Sequence, residues 1–292
     1  MTFLPNNSPF AGTEGEFVTS THLRERLERE TLSDVALLVD EAEGGVGFRV
    51  SGRGELHLSI LVERMRREGY EFQVACPEVI MKRVDGKLQE PYEELTIDVA
   101  EEYMGIVIEK LGTRKGQMTE MHQENGMVRL RYRVPTRGLL GYKPEFMSDT
   151  RGMGVMTYIF DGYDEHAGEM RKRKNGVLIA MENCTTVAYA LFNLQNRGKL
   201  FLPAGIKIYK GQIVGEHCRD NDLIVNPAKG KQLTNVRAAG SDENVILTPF
   251  TNMSLESCIA YINPDELVEV TPKNIRLRKI VFGKQRSPNS GQ

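Results

Sequence analysis

No stretch of this 292-residue sequence approaches the roughly 18 consecutive apolar positions of a transmembrane helix. The opening residues, MTFLPNNSPF, lack a basic start and a long apolar stretch, so no secretory signal peptide is visible. Cysteine is scarce. Cys76, Cys184, Cys218 and Cys258 stand far apart with no C-x-x-C. That spacing favours reduced thiols over a disulfide or zinc framework, so a cytoplasmic protein that meets no membrane is expected. Motifs that cradle nucleotides are missing too. There is no G-x-x-x-x-G-K-[ST], and Gly45-Val46-Gly47 has Val50 where G-x-G-x-x-G needs its third glycine. Neither G-x-S-x-G nor H-E-x-x-H occurs. Among the scattered histidines only His217 has an adjacent soft ligand, Cys218, and two ligands do not make a metal site. No cofactor, no metal and no catalytic residue are therefore expected in this chain. A self-contained acid/base enzyme built on Glu55, His57 or the cysteines is the competing reading. The simpler account places Glu55 at the positive end of a helix.

What is present is ordinary globular composition, 40% hydrophobic and 27% charged, which excludes a disordered chain, a collagen or a coiled coil. The net charge of −2 hides an asymmetry. Residues 1–76 carry 8 Lys+Arg against 13 Asp+Glu, residues 77–166 carry 12 against 16, and residues 167–292 carry 18 against 11. A basic third behind two acidic ones suggests a polyanionic partner.

Hydrophobic periodicity divides the chain at the same places. In 1–76, an opening strand at Met1–Leu4 precedes a helix capped by Thr19 or Ser20, with Leu23 and Leu27 on one face. A strand is expected over Asp34 to Val39 and another at Phe48 to Val50. Leu58, Leu61, Val62 and Met65 recur with helical spacing, Gly69 sits at the C-cap, and Tyr70 to Cys76 alternates as a strand. The second segment repeats the order: a strand at Glu94–Val99, a helix through Met104, Val107, Ile108 and Leu111, and a hairpin at Asn125-Gly126 between Met118/Met121 and Val128–Val134. A helix at Phe146–Thr150 and a strand at Val155–Phe160 close the set. The third segment holds short apolar runs, including Val177–Ala180, Val187–Phe192 and Leu223–Val225, then a helix from Ser254 to Ile262 and a basic stretch from Lys273 to Lys279. The fold class is therefore α+β: two ferredoxin-like β-α-β-β-α-β sandwiches, at 1–76 and 77–166, followed by a small β-rich C-terminal domain with a terminal helix at 167–292.

Four basic features are candidates for RNA contact. Arg129, Arg131 and Arg133 project from one face of one strand, about 6.6 Å apart, and three guanidiniums in a row can follow successive phosphates. Arg137, Tyr142, Lys143 and Arg151 lie in a glycine-bearing stretch that mixes cations with an aromatic ring. Arg171, Lys172, Arg173 and Lys174 form an unbroken cationic run. The polar segment Asn226–Asn244 carries Lys229, Lys231 and Arg237, and a loop of that length without periodicity is usually functional. Each has a plainer reading as a solvated or salt-bridged surface.

Ser51-Gly52-Arg53-Gly54-Glu55-Leu56-His57-Leu58, followed by a helix ending in Arg64-Met65-Arg66-Arg67-Glu68, resembles domain III of elongation factor G and related translational GTPases. The second segment resembles domain V of that family through Glu90-Pro91, Glu102-Tyr103-x-Gly105, Arg114-Lys115-Gly116, Gly141-Tyr142 and Phe160-Asp161-x-Tyr163-Asp164-Glu165. The intervening domain IV is missing, since Cys76 leads directly into Pro77. That omission and the basic third segment, with Asn196-Arg197-Gly198-Lys199-Leu200-Phe201 and Leu233-Thr234-Asn235, are similar to the BipA/TypA family of ribosome-associated GTPases. The resemblance implies a cytoplasmic, monomeric C-terminal fragment of a factor acting in large-subunit assembly and in translation under stress such as cold. It implies contacts to large-subunit rRNA, to ribosomal proteins and, through the Asn226–Asn244 loop, to the acceptor end of an A-site tRNA. It also implies that GTP and magnesium belong to an N-terminal domain absent from this sequence, so that this chain neither binds nor hydrolyses GTP.

Overall fold

The structure is a computed structural model that describes residues 1–42, 44–170, 172–229 and 246–281. The first segment contains β1 (Thr2–Pro5), α1 (Ser20–Ser33), β2 (Leu38–Glu41), β3 (Phe48–Ser51), α2 (Glu55–Arg67) and β4 (Phe72–Ala75). Thr19 caps α1 by accepting the His22 N–H, and the helix buries Leu23 and Leu27. α2 buries Leu58, Leu61, Val62 and Met65, the stripe its spacing predicts. Gly69 follows it at φ 96°, a left-handed position that favours glycine. The expected Asp34–Val39 strand begins only at Leu38. Asp34 instead ends α1, and its carboxylate binds the Ala36 N–H and His57. The strands run β4-β1-β3-β2, the order that the β-α-β-β-α-β plan produces.

The second segment contains β5 (Lys82–Val84), β6 (Lys87–Ala100), α3 (Glu101–Thr113), β7 (Gln117–Glu124), β8 (Met127–Pro135), α4 (Thr136–Leu139), α5 (Tyr142–Asp149) and β9 (Val155–Glu165). β8 lies between β7 and β6, and β9 flanks the other side of β6, all antiparallel. Asn125 and Gly126 take φ of 51° and 78°, the paired left-handed geometry of a two-residue hairpin turn. Leu95, Ile97, Val99, Leu130, Tyr132 and Val134 meet Tyr103, Val107, Leu111, Tyr142 and Phe146 in one core.

The third segment contains β10 (Val177–Ala180), β11 (Cys184–Thr185), α6 (Ala188–Leu194), β12 (Gly198–Leu200), β13 (Lys207–Ile208), β14 (Gln212–His217), β15 (Leu223–Val225), α7 (Leu255–Tyr261), β16 (Glu266–Val270) and β17 (Ile275–Lys279). The run expected as a strand at Val187–Phe192 is helix α6. A short apolar run carries no periodicity, and its alanines and leucine favour the helix. The expected terminal helix is α7, capped by Ser254, but β16 and β17 follow it. The basic stretch at Lys273–Lys279 is mostly β17, a strand inside the sheet.

The chain divides into two compact units, residues 1–76 with 173–292, and residues 77–172. Ten strands of the first unit form one continuous sheet, with β11 and β13 paired apart from it, because β16 pairs antiparallel with β4 from Leu267 opposite Ala75 to Val270 opposite Phe72. Its core joins Phe3, Leu27, Met65 and Phe72 to Ile259, Val268, Val270 and Leu277. The acidic first segment and the basic third segment are thus one body. Where the basic segment's cations meet buried carboxylates, their charge is spent inside the fold.

The surface of α2 makes the first unit sensitive to acid. The Arg66 guanidinium, helped by Arg67, overcomes partial burial and draws the Glu63 carboxyl down to about 2. Arg26 lowers Glu68 in the same way. Folded pKa values below the unfolded ones mean that the unfolded chain binds more protons at low pH. The stabilisation is therefore full above the ordinary carboxylate pKa of about 4.3 and is lost as pH falls toward about 2. The urea midpoint of this unit should be lower at pH 3 than at pH 6; equal midpoints would show that these pairs add nothing.

Candidate nucleic-acid interface

The arginine row of β8 emerges as expected on one face, opposite the side that packs on the helices. Each guanidinium is already answered by a carboxylate. Arg129 donates to Asp98 at 2.7 and 2.9 Å, Arg131 lies 3.2 Å from Glu120, and Arg133 donates to Asp161 and Asp164, both at 2.7 Å. The partners come from β6, β7 and β9, so the sheet face is a mosaic of paired charges. Paired exposed ions contribute little to stability, but they leave little net positive potential for a phosphate backbone.

Arg137 is half-buried and already paired, and Tyr142 is an interior residue. Arg137, at the start of α4, reaches both oxygens of the fully buried Glu90, whose carboxylate also accepts the Ala167 N–H. Tyr142 is only 1% exposed, packs on Phe146 and lies beneath the Arg114 guanidinium. Burial raises its phenol above the usual range. A ring in that position fills core and offers no face to a base. Lys143 and Arg151 are exposed, and neither is in an ion pair among the described residues.

The cationic run of the third segment divides. Arg171 lies outside the described residues, and Lys172 is half-buried with an interaction of its own. Arg173 turns inward and donates to both oxygens of buried Glu266, at 2.8 and 3.0 Å, with the Tyr261 ring 4.3 Å from its guanidinium carbon. Lys279 meets the same carboxylate at 2.8 Å and adds Asp222 and Asp265. Burial alone would drive its ammonium pKa down; Asp222, Glu266 and Asp265 outweigh it and hold the proton. Arg276 likewise pairs with Glu14 and Glu269. Lys174 remains exposed.

Among the third segment's exposed cations, Lys229, Arg197, Lys207 and Arg219 can be traced by chain and backbone contacts to the described residues that flank 230–245; Lys174, Lys210 and Lys273 are exposed as well. Lys231 and Arg237 lie outside the described residues; Lys229 is exposed at the last described position before them. The outgoing root is fixed where the Val187 N–H donates to the Pro227 carbonyl at 2.9 Å. The returning root is held by Gln195, whose side chain accepts the Thr248 N–H at 2.9 Å. Arg197 follows two residues after that anchor, and its carbonyl accepts the Cys218 N–H, which brings Arg219 alongside. Arg197, Lys199, Lys207 and Arg219 are all exposed, with no ion pair among the described residues. Sequence reading did not single out Lys207 or Arg219, because their neighbours in space come from β11 and from the Arg197 turn rather than from the adjacent chain.

The acid/base alternative finds no constellation. Glu55 occupies the first turn of α2, while His57 binds Asp34 at 2.6 Å through Nε2 and accepts the Arg53 N–H through Nδ1. Cys76 and Cys258 are buried, and burial pushes the Cys258 thiol up to about 12. No group of three His, Cys, Asp or Glu among the described residues could hold a metal. No helix among them is long and apolar enough to cross a membrane.

Comparison with known proteins fits this organisation. Residues 175–284 match the family model described as the TypA/BipA C-terminal domain, and residues 87–174 match the one described as the elongation factor G C-terminus. The chain is 52% identical over 296 aligned positions to the large ribosomal subunit assembly factor BipA of Salmonella typhimurium, covering all of this chain and 49% of that protein. Against the proteins of the same name from Haemophilus influenzae and Bacillus subtilis, identity is 53% and 50%, over 96% and 97% of this chain and 46% and 47% of theirs. The chain spans about half the length of these curated relatives. By these matches the chain belongs to the TypA/BipA family and carries its C-terminal domain beside an elongation factor G-type C-terminal domain.

Proposed function

We propose that this chain is the ribosome-docking part of a large-subunit assembly factor and that it binds ribosomal RNA through the cationic end of its first unit. The observation that carries the reading is the division of the basic charge. Arg173, Arg276 and Lys279 are consumed by buried carboxylates, whereas Lys229, Arg197, Lys199, Lys207 and Arg219 stay exposed, in a segment whose sequence also bears Lys231 and Arg237. Unanswered cations repel one another until a polyanion neutralises them. The relatives' name, large ribosomal subunit assembly factor, supports a ribosomal polyanion. Large-subunit rRNA, the acceptor end of an A-site tRNA and ribosomal proteins are the proposed partners, in the cytoplasm and under stress. GTP chemistry is assigned to the remainder of a longer parent protein, with no GTP or magnesium held by this chain.

Binding to purified large ribosomal subunits across salt concentrations tests this. Each phosphate contact releases counterions, so log affinity should fall linearly with log salt, losing at least tenfold between about 50 and 200 mM. An affinity indifferent to salt over that range would end the RNA reading.

A further inference from the structure

The first segment carries a cavity among residues that the cationic interface does not use. Phe17, His22, Glu25, Arg29, Glu68 and Tyr70 line about 480 Å³, within the roughly 300–1,000 Å³ of small-molecule sites. Main chain pins its walls. The Glu16 and Phe17 N–H groups donate to the Gly69 carbonyl at 2.9 and 3.3 Å, and the Glu71 N–H donates back to the Phe17 carbonyl at 3.0 Å. That short parallel bridge brings the Phe17 and Tyr70 rings together, centroids 4.8 Å apart, and His22 meets Phe17 edge-on. Fixed aromatic walls are what a stacked base needs.

The charges around the cavity divide into answered and unanswered ones. Both Glu68 oxygens are held by Arg26, at 2.5 and 2.8 Å, and Arg64 lies 3.0 Å from Glu30. Glu25 and Arg29 stand four apart on α1, the spacing at which such residues ordinarily pair. Both are exposed, and neither is in an ion pair or a hydrogen bond among the described residues. His22 Nδ1 is buried with no hydrogen-bond partner, a vacancy of the kind that a bound group fills. Arg26, Arg29 and Arg64 stand against Glu16, Glu25, Glu30 and Glu68, three charges against four. So small a net charge favours neither a phosphate nor a cation. A flat, neutral ring with donors on one edge and acceptors on the next fits such a lining.

We propose that this cavity takes an unpaired guanine of an RNA strand, stacked against the aromatic wall, its N1–H and N2–H donating to the Glu25 carboxylate and its O6 and N7 accepting from the Arg29 guanidinium. Guanine alone among the four bases sets two donors beside two acceptors, and a carboxylate next to a guanidinium answers that order. The inference rests on the RNA reading above. Arg29 is engaged by the base, so the lining keeps no second unanswered cation for a nucleotide's own phosphates. The strand is held instead by the exposed cations of the third segment.

The test is fluorescence anisotropy of the whole chain with a labelled heptaribonucleotide that carries one guanine among uridines, and with the same heptamer carrying inosine, 7-deazaguanine or adenine in its place. Guanine should bind about tenfold tighter than adenine or more. Inosine lacks the N2 donors and 7-deazaguanine lacks the N7 acceptor, so each should lose about threefold or more. The preference should be equal at about 50 and 200 mM salt while every affinity falls, because phosphate contacts release counterions and base contacts do not. Glu25→Gln and Arg29→Ala should each bring guanine and adenine to within about twofold, with the thermal midpoint unmoved, since both side chains are exposed. The proposal is overturned if the four heptamers bind alike or not at all, or if the two variants keep the preference. It is overturned too if guanosine monophosphate displaces the guanine heptamer at equal concentration, which would make a free nucleotide the guest. Heptamers that bind alike with a steep salt slope leave the RNA reading standing. Large subunits and heptamers that both ignore salt would remove that reading as well.

Discussion

Replacing Glu269 by alanine is expected to be among the most destabilising single changes in the first unit, at about 3–5 kcal/mol. Its carboxylate is fully buried on β16 and accepts from Ser8 at 2.9 Å, Tyr209 at 2.5 Å, Arg276 at 3.2 Å and Asn6 at 3.2 Å. These donors come from the N-terminal loop, from the β13–β14 turn and from β17, so one side chain ties the first segment to the third. Without it the Tyr209 hydroxyl is buried with no acceptor, and Arg276 retains only Glu14 as a carboxylate partner. A buried hydroxyl left without an acceptor, beside a guanidinium that has lost one of its two carboxylates, costs more than the net value of any one hydrogen bond. With a urea m-value of about 2–3 kcal/mol/M for a unit of this size, the midpoint should drop by more than about 1 M. Glu269→Gln keeps the shape and an acceptor for Tyr209 and should fall between wild type and alanine. The second unit contributes none of these contacts, so its transition should not move. A Glu269→Ala midpoint within about 0.2 M of wild type would show that the seam between the segments is held by its apolar core alone.

That seam is the part of the fold the sequence hides. Helices α1, α2 and α3 were legible because Leu23/Leu27, Leu58/Leu61/Val62/Met65 and Val107/Leu111 repeat with helical spacing and all prove buried. The Asn125-Gly126 hairpin was legible because two adjacent left-handed residues have a narrow sequence signature. No such local signal announces that β16 lies against β4, some 190 residues earlier in the chain. Composition misleads there as well. Arg276 and Lys279 read as parts of a basic tail, while two of the carboxylates that claim them, Glu14 and Asp222, lie far away in sequence. The same limit applies to the candidate interface. Arg129, Arg131 and Arg133 could be placed on one face from their alternation alone, and Glu120 could be anticipated across the hairpin. Asp98, Asp161 and Asp164 arrive from strands whose pairing is set by tertiary structure.

Changing Lys229, Lys231 and Arg237 together to alanine should therefore act very differently from changing Arg129, Arg131 and Arg133. The first set lies in the segment Asn226–Asn244, where Lys229 is exposed at the last described position with no carboxylate paired with it among the described residues. If each of the three meets a phosphate, their loss lowers the slope of log affinity against log salt by about 2.7 and weakens binding to large ribosomal subunits by roughly two to three orders of magnitude at 0.1 M salt. The second set must release Asp98, Glu120, Asp161 and Asp164 before any phosphate can be engaged. Exchanging one anionic partner for another gains little, so that triple variant should change affinity by less than about threefold and leave the slope nearly as it was. Filter binding at four salt concentrations separates the two cases. A large loss from the β8 variant beside a silent loop variant would transfer the interface to the sheet face of the second unit, because it would mean that RNA competes successfully with carboxylates held at 2.7 Å.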